Sequence, residues 1–150
     1  MSVSVDQLAA LNRKFFELIP LNQSMGLRLD VLERGRARMT LPYAHAFIGD
    51  PVSGVLHGGA VTVLMDSACG AAVFMALEEP DAIATLDLRI DYLRAAEPSR
   101  DVVAQAECYH LGRNVAFVRG TAHHGDPDHP IASCAGSFMI GTHVPGVVRT

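Results

Sequence analysis

Apolar and polar positions along this chain change period several times, and each change marks an element. Leu8, Leu11, Phe15 and Leu18, with Phe16 and Ile19 beside them, repeat at the spacing of one helix face and stop at Pro20. That predicts an amphipathic helix over residues 5 to about 19. From Met25 the period falls to two. Leu27, Leu29 and Val31 alternate with Arg28 and Asp30, Glu33-Arg34-Gly35 reads as a turn, and Ala37, Met39 and Leu41 alternate with Arg38 and Thr40; this is the pattern of a hairpin. Pro42 to Val55 carries two prolines and two glycines and reads as a long loop of the kind that shapes sites. Residues 58 to 77 then hold no charge except Asp66. A helix apolar on all sides has to be enclosed on most of them.

Beyond that helix, Leu86, Leu88, Ile90 and Tyr92 alternate strictly with Thr85, Asp87, Arg89 and Asp91, which predicts a strand with a core face and a polar face, Thr85 lying on the latter. Three more strand-like runs follow, Val102 to Leu111, Val115 to Ala122 and Ile131 to Ile140, separated by Gly112-Arg113-Asn114 and by His124-Gly125-Asp126-Pro127-Asp128. One antiparallel sheet wrapped around a single central helix, with an N-terminal helix added, is the simplest α+β arrangement that covers both. The 150 residues fit one domain, residues 1–150, with no repeat, low-complexity tract or linker.

Composition removes several function classes. A formal net charge of -4 argues against general nucleic-acid binding, so a phosphate-bearing ligand needs a local basic patch. The chain opens without a basic, then apolar, leader, and the segment from Ala60 to Leu77 is interrupted by Thr62, Asp66 and Ser67, so neither a signal peptide nor a membrane span is expected. Cys69, Cys108 and Cys134 are odd in number and embedded in apolar runs, as reduced core residues are. The expected setting is cytoplasmic, where the sequon Asn22-Gln23-Ser24 has no meaning.

The chemistry concentrates in His57-Gly58-Gly59 and Asp66. Two glycines at a helix start leave backbone N–H groups approachable by a carbonyl oxygen or oxyanion, and a carboxylate among apolar neighbours suits nucleophilic attack or proton abstraction. A purely structural reading also fits: a tight helix start, and an acid bonded to a neighbouring strand. The spacing decides how the two groups can cooperate. At about 1.5 Å per residue, seven residues separate Gly59 from Asp66 by roughly 10 Å along one helix, whereas a base works within about 3 Å of its proton. If both serve one carbonyl, they come from two copies of the chain, which predicts an obligate oligomer with composite sites.

The run Gly54-Val55-Leu56-His57-Gly58-Gly59, then Leu64-Met65-Asp66-Ser67-Ala68-Cys69-Gly70, then Thr85 to Leu93, resembles the hotdog-fold acyl-CoA thioesterases of the phenylacetate-degradation (PaaI) type, over residues 22 to 141. The resemblance implies hydrolysis of an aryl or short- to medium-chain acyl-CoA, with coenzyme A as part of the substrate and no metal or other cofactor. It implies Asp66 as general base or nucleophile, Gly59 as donor to the thioester carbonyl from the other subunit, and His57 as support. A hydroxyl at the place of Thr85 orients water in some relatives. Coenzyme A is expected across Tyr92-Leu93-Arg94 and the turn Gly112-Arg113-Asn114, where guanidinium groups meet phosphates. A dimer joined edge to edge, paired again into a homotetramer, is expected.

One position departs from the family. Where many relatives read Gly-Asn-Pro, this chain reads Gly49-Asp50-Pro51, and an ionised Asp50 cannot donate a hydrogen bond. Either it is protonated near Asp66, it lies outside the site, or efficiency or substrate is altered. His123, His124, Asp126, Asp128 and His129 crowd together but read as a hairpin tip rather than a metal site. Two rival functions remain open, a hotdog hydratase or dehydratase working through a His and a carboxylate, and a non-catalytic acyl-CoA-binding module.

Overall fold

The computed structural model describes residues 4–141. Helix α1, Val5–Leu18, begins with a reciprocal cap: Gln7 N donates to Ser4 Oγ and Ser4 N to Gln7 Oε1. Its inward face is not the expected one. Phe15 and Leu18 are exposed, while Asn12 and Phe16 are buried; the side chain of Leu11 lies outside the described ones. Asn12 is tolerated there because its amide donates to Met75 Sδ at 2.9 Å. Pro20 ends α1 but also starts a second helix, α2, Pro20–Ser24, where the sequence offers no apolar period. Proline fits the first helical position, whose N–H has no partner anyway.

Strands β1 (Arg28–Glu33) and β2 (Arg36–Leu41) form the expected hairpin. A short 3-10 turn, His45–Phe47, interrupts the long loop before α3, Gly58–Ala76. Four longer strands follow, β3 (Ile83–Tyr92), β4 (Val102–Leu111), β5 (Val115–His123) and β6 (Ala132–Ile140). All pair antiparallel into one six-stranded sheet in the order β1-β2-β4-β5-β6-β3, so β3 is an edge. This sheet curled round one helix is the hotdog arrangement.

Small residues on both layers let α3 press close to the sheet. Ala68, Ala71 and Ala72 of the helix and Ala104, Ala116, Ala122 and Ala132 of the sheet are all buried, with Leu64, Met65 and Val73 filling the space between. By length and composition α3 also matches a membrane span, but here its apolar surface is spent within the fold. Cys69 and Cys134 face each other across this layer as free thiols, their sulfurs 3.7 Å apart.

Three bulges break the strict alternation read from the sequence. One at Asp30 makes Leu32 rather than Val31 the next buried residue of β1 after Leu29. Another interrupts β4 between Cys108 and His110. The third leaves Leu86 without an opposite residue, since Thr85 pairs with Phe138 and Asp87 with Ser137. An extra residue inverts the side-chain parity on one side of it. Leu86, expected in the core, is therefore 52% exposed, and Thr85, expected on the polar face, turns toward α3.

Because Leu64 is fully buried at the centre of the helix–sheet layer, Leu64→Ala is expected to lower the unfolding free energy by about 3 kcal/mol, measured by urea denaturation. A loss below about 1 kcal/mol would show that α3 is not the packing centre.

Candidate active site

The first turn of α3 is built around His57. Its backbone N–H donates to Phe47 O at 2.7 Å, its carbonyl accepts from Ala60 N, and its ring Nδ1 accepts from Gly59 N at 2.8 Å. An imidazole accepting at Nδ1 carries its proton on Nε2 when neutral. The expectation of two bare glycine N–H groups is thus corrected: Gly59 is capped by its own neighbour, and only the Gly58 N–H lacks a hydrogen-bond partner among the described residues. His57 crowds two glycines, Gly49 through its backbone and Gly59 through its ring, which a side chain at Gly59 would push aside. A Cβ at Gly59 would stand 2.9 Å from His57 Nδ1, and one at Gly49 would stand 2.7 Å from His57 Cα.

Tyr92 closes the other side of this turn. Its hydroxyl donates to Gly58 O at 2.7 Å and lies 2.6 Å from Thr62 Oγ1. Together with Leu93, Arg94 and Leu56 it borders a cavity of about 370 Å3 beside Gly58. Arg94 reaches out of it to donate to His129 O.

Two turns further along α3, Asp66 faces a different cavity, of about 470 Å3. Thr85 Oγ1 donates to Asp66 Oδ1 at 2.8 Å, a contact that exists because the Leu86 bulge turns Thr85 inward. Apolar walls come from Phe16, Ile19, Leu21, Ile83, Leu88 and Phe138. Next to Asp66, Ser67 Oγ donates to Asn22 Oδ1 at 3.0 Å, and Asn22 Nδ2 donates to Phe16 O. This buried bridge ties α1 and α2 to the acid-bearing face of α3. Neither α2 nor Asn22 is marked by the sequence, since five residues starting with proline show no helical period.

The remaining candidates are scattered. Gly112, Arg113 and Asn114 form the β4–β5 turn, held by Gly112 N to Val115 O and by Ile140 N to Asn114 O. Ile140 pairs with Ile83 and Tyr92 with Ala132, so this turn and Tyr92-Leu93-Arg94 lie at opposite ends of β3, roughly 30 Å apart by strand rise. One chain does not bring them together. Asp50 is engaged in its own loop, its carboxylate accepting from Ser53 Oγ at 2.5 Å and from Val52 N at 3.0 Å. The Ser53 hydrogen bond, then that of Val52, holds its pKa below the ordinary carboxylate value. The protonated form is thereby disfavoured.

In the histidine-rich tip, His129 pairs with Asp126 at 2.8 Å, while His124 accepts from Glu97 N. His123 is buried, which lowers its pKa. A larger hollow of about 650 Å3 among Arg36, Arg38, Glu107 and Arg119 holds none of the candidate residues, and its Glu107 is already paired with Arg36 and Arg119.

Comparison with known proteins gives the same direction. Residues 53–131 match the family model described as Thioesterase superfamily. The medium/long-chain acyl-CoA thioesterase YigI of Salmonella typhimurium is 28% identical over 147 residues, 89% of this chain and 94% of that protein. A crystal structure of a Pseudomonas aeruginosa protein superposes with a TM-score of 0.79 at 44% identity, covering 88% of this chain and 98% of the other. A mutant of the phenylacetic acid degradation protein PaaI from Thermus thermophilus superposes with a TM-score of 0.70 at 25% identity, covering 80% and 97%.

The Asp50 turn carries a pH signature. A carboxyl whose folded pKa lies below its unfolded value contributes stability that is present above the unfolded pKa and lost as pH falls through the folded one. The Asp50 carboxyl carbon is expected to titrate below the ordinary carboxylate range in an NMR pH series, together with the Val52 amide. An Asp50 midpoint at or above the ordinary value would contradict the closed turn.

Proposed function

The chain belongs to the thioesterase superfamily, and on that premise we propose that it hydrolyses acyl-CoA thioesters to a carboxylate and free coenzyme A. The observation that carries this reading is the Thr85–Asp66 pair at the wall of an apolar cavity. With one oxygen of Asp66 held by Thr85, the other is left to take a proton from water, while the lone pairs of Thr85 accept the second hydrogen of that water. Water oxygen bonds to the thioester carbon, its proton passes to Asp66, the C–S bond breaks, and the proton is returned to the departing sulfur. Direct attack by Asp66, followed by hydrolysis of the resulting anhydride, reaches the same products. Either route uses side chains, backbone and water, with coenzyme A as part of the substrate.

The carbonyl oxygen needs donors, and the start of α3 supplies them. Gly58 N–H is unpartnered among the described residues, and Gly59 N–H becomes available when the carbonyl takes the place of the His57 ring. Within one chain Gly58 borders a different cavity from Asp66. Antiparallel pairing of the β3 edge with its copy about a two-fold axis sets the Thr85 end of one strand beside the Tyr92 end of the other. The same operation brings the partner's copy of the β4–β5 turn toward Tyr92-Leu93-Arg94. We therefore assign the composite site to a homodimer, with Tyr92, Leu93 and Arg94 from one subunit and the Gly112-Arg113-Asn114 turn from the other lying along coenzyme A. Further pairing into a homotetramer and a cytoplasmic setting are part of the same proposal. The cap bond at His57 Nδ1 speaks for a supporting histidine rather than the acid–base histidine of a hydratase.

Asp66→Ala is expected to leave folding and assembly intact and lower turnover by about two to four orders of magnitude, read as thiol release from a panel of acyl-CoAs. Thr85→Val is expected to cost about tenfold, near the worth of one hydrogen bond, with recovery in Thr85→Ser. Near-normal hydrolysis by folded Asp66→Ala would overturn the assignment.

A further inference from the structure

Gly70 sits in the interior of a nineteen-residue helix, buried, one turn beyond Asp66 on the same face. Mid-helix glycine is unfavourable compared with alanine because it loses more backbone freedom on folding, so a glycine here calls for a reason. Close packing usually supplies one. At Gly70 it does not, since an added Cβ would meet Phe138 Cε1 at 3.6 Å and Ile83 Cδ1 at 3.9 Å, both ordinary contacts. Alanine would fit.

What a side chain would occupy is the cavity of Asp66. Gly70, Ile83 and Phe138 all line it. Thr62, Asp66 and Gly70 follow one another at intervals of four along α3, a single stripe facing that space, and helix rise places Gly70 about 6 Å beyond the carboxylate. Polar groups gather at the Asp66 end, with Thr85, Ser67 and Asn22, and these already bond one another or Asp66. Past them the walls are Ile83 and Phe138, with no described donor or acceptor side chain to receive a polar substituent.

Resting on the acyl-CoA reading above, we infer that Gly70 sets the acyl-chain length this enzyme accepts, the chain being an unbranched aliphatic one that runs from Asp66 along α3 and crosses Gly70 between Ile83 and Phe138. The missing side chain keeps the channel open. One methyl at this position narrows it, and a branched side chain closes it. Removing bulk from the facing wall at Ile83 has the reverse effect. Beyond Gly70 the same stripe reaches Phe74, which packs against Phe15 and against Phe16, itself a wall of the cavity.

The test is a kcat/KM series over acetyl-, butyryl-, hexanoyl-, octanoyl-, decanoyl- and benzoyl-CoA for wild type, Gly70→Ala, Gly70→Val and Ile83→Ala, with thermal midpoints for each. Wild type is expected to prefer hexanoyl- or octanoyl-CoA to acetyl- and benzoyl-CoA. Gly70→Val is expected to reduce the octanoyl-to-acetyl ratio by at least about thirtyfold, in the range that steric discrimination in an apolar pocket reaches. Gly70→Ala shifts the ratio the same way by a smaller factor while its midpoint rises, because alanine is the better helix former; a glycine needed for packing would give the opposite change in midpoint. Ile83→Ala moves the optimum to longer chains. The inference is overturned if wild type hydrolyses acyl-CoAs but Gly70→Ala and Gly70→Val lower every chain length equally or leave the ratio unchanged. If wild type hydrolyses none of them, the thioesterase reading itself falls, and the inference with it.

Discussion

The one carboxylate of the central helix is positioned by a hydrogen-bond donor, and in this fold the donor is brought to it by one extra residue in a strand. Without the bulge at Leu86, strict alternation would leave Thr85 on the far face of β3 and Asp66 without its 2.8 Å partner. The bulge also turns Leu86 out toward solvent at the sheet edge. Asp66 is half-buried at the cavity wall, and this contact fixes its carboxylate there while Leu64, Ala68 and Ala72 of the same helix pack tightly against the sheet. The cavity beside Asp66 follows from the same arrangement, bounded by β3 on one side and by the Asn22–Ser67 bridge to α2 on another.

Helix geometry then imposes the second constraint. Groups seven residues apart on α3 cannot reach one carbonyl, and the fold keeps them apart by giving the start of α3 and Asp66 different cavities. The ends of β3 repeat the separation, with Thr85 near one end and Tyr92 at the other. An exposed ten-residue edge strand is a ready template for pairing, and a two-fold axis across it is the simplest operation that turns two half-sites into whole ones. In the proposed dimer, catalysis and assembly are therefore one property.

Much of this was legible in the sequence, because period reports burial. The apolar run of α3, the β1–β2 hairpin and the four later strands follow directly from it. Asp66 stands out as the single acid of its helix, and the glycine pair as its start. What was not legible depends on contacts between distant residues. A bulge leaves the written alternation of Thr85 to Tyr92 intact while reversing which face Thr85 occupies. The buried side of α1 runs through Asn12, which looks polar until Met75 is placed beside it. His57 reads as a neighbour of the glycines, and only the folded turn shows its Nδ1 holding the Gly59 N–H. Asp50 reads as a departure from a family pattern, whereas the fold has it closing its own loop with Ser53.

The composite site is tested most directly by subunit exchange between two inactive variants, Asp66→Ala and Gly59→Val, the latter placing bulk where a Cβ already meets the His57 ring at 2.9 Å. In a mixed dimer, one site would combine the intact Gly59 of one chain with the intact Asp66 of the other, and the second site would carry both defects. After random exchange half the dimers are mixed, so thiol release is predicted to recover to about a quarter of the wild-type rate per total site. Folded mixed dimers, verified by mass spectrometry, that show no recovery would place both groups in one chain's site and contradict the account.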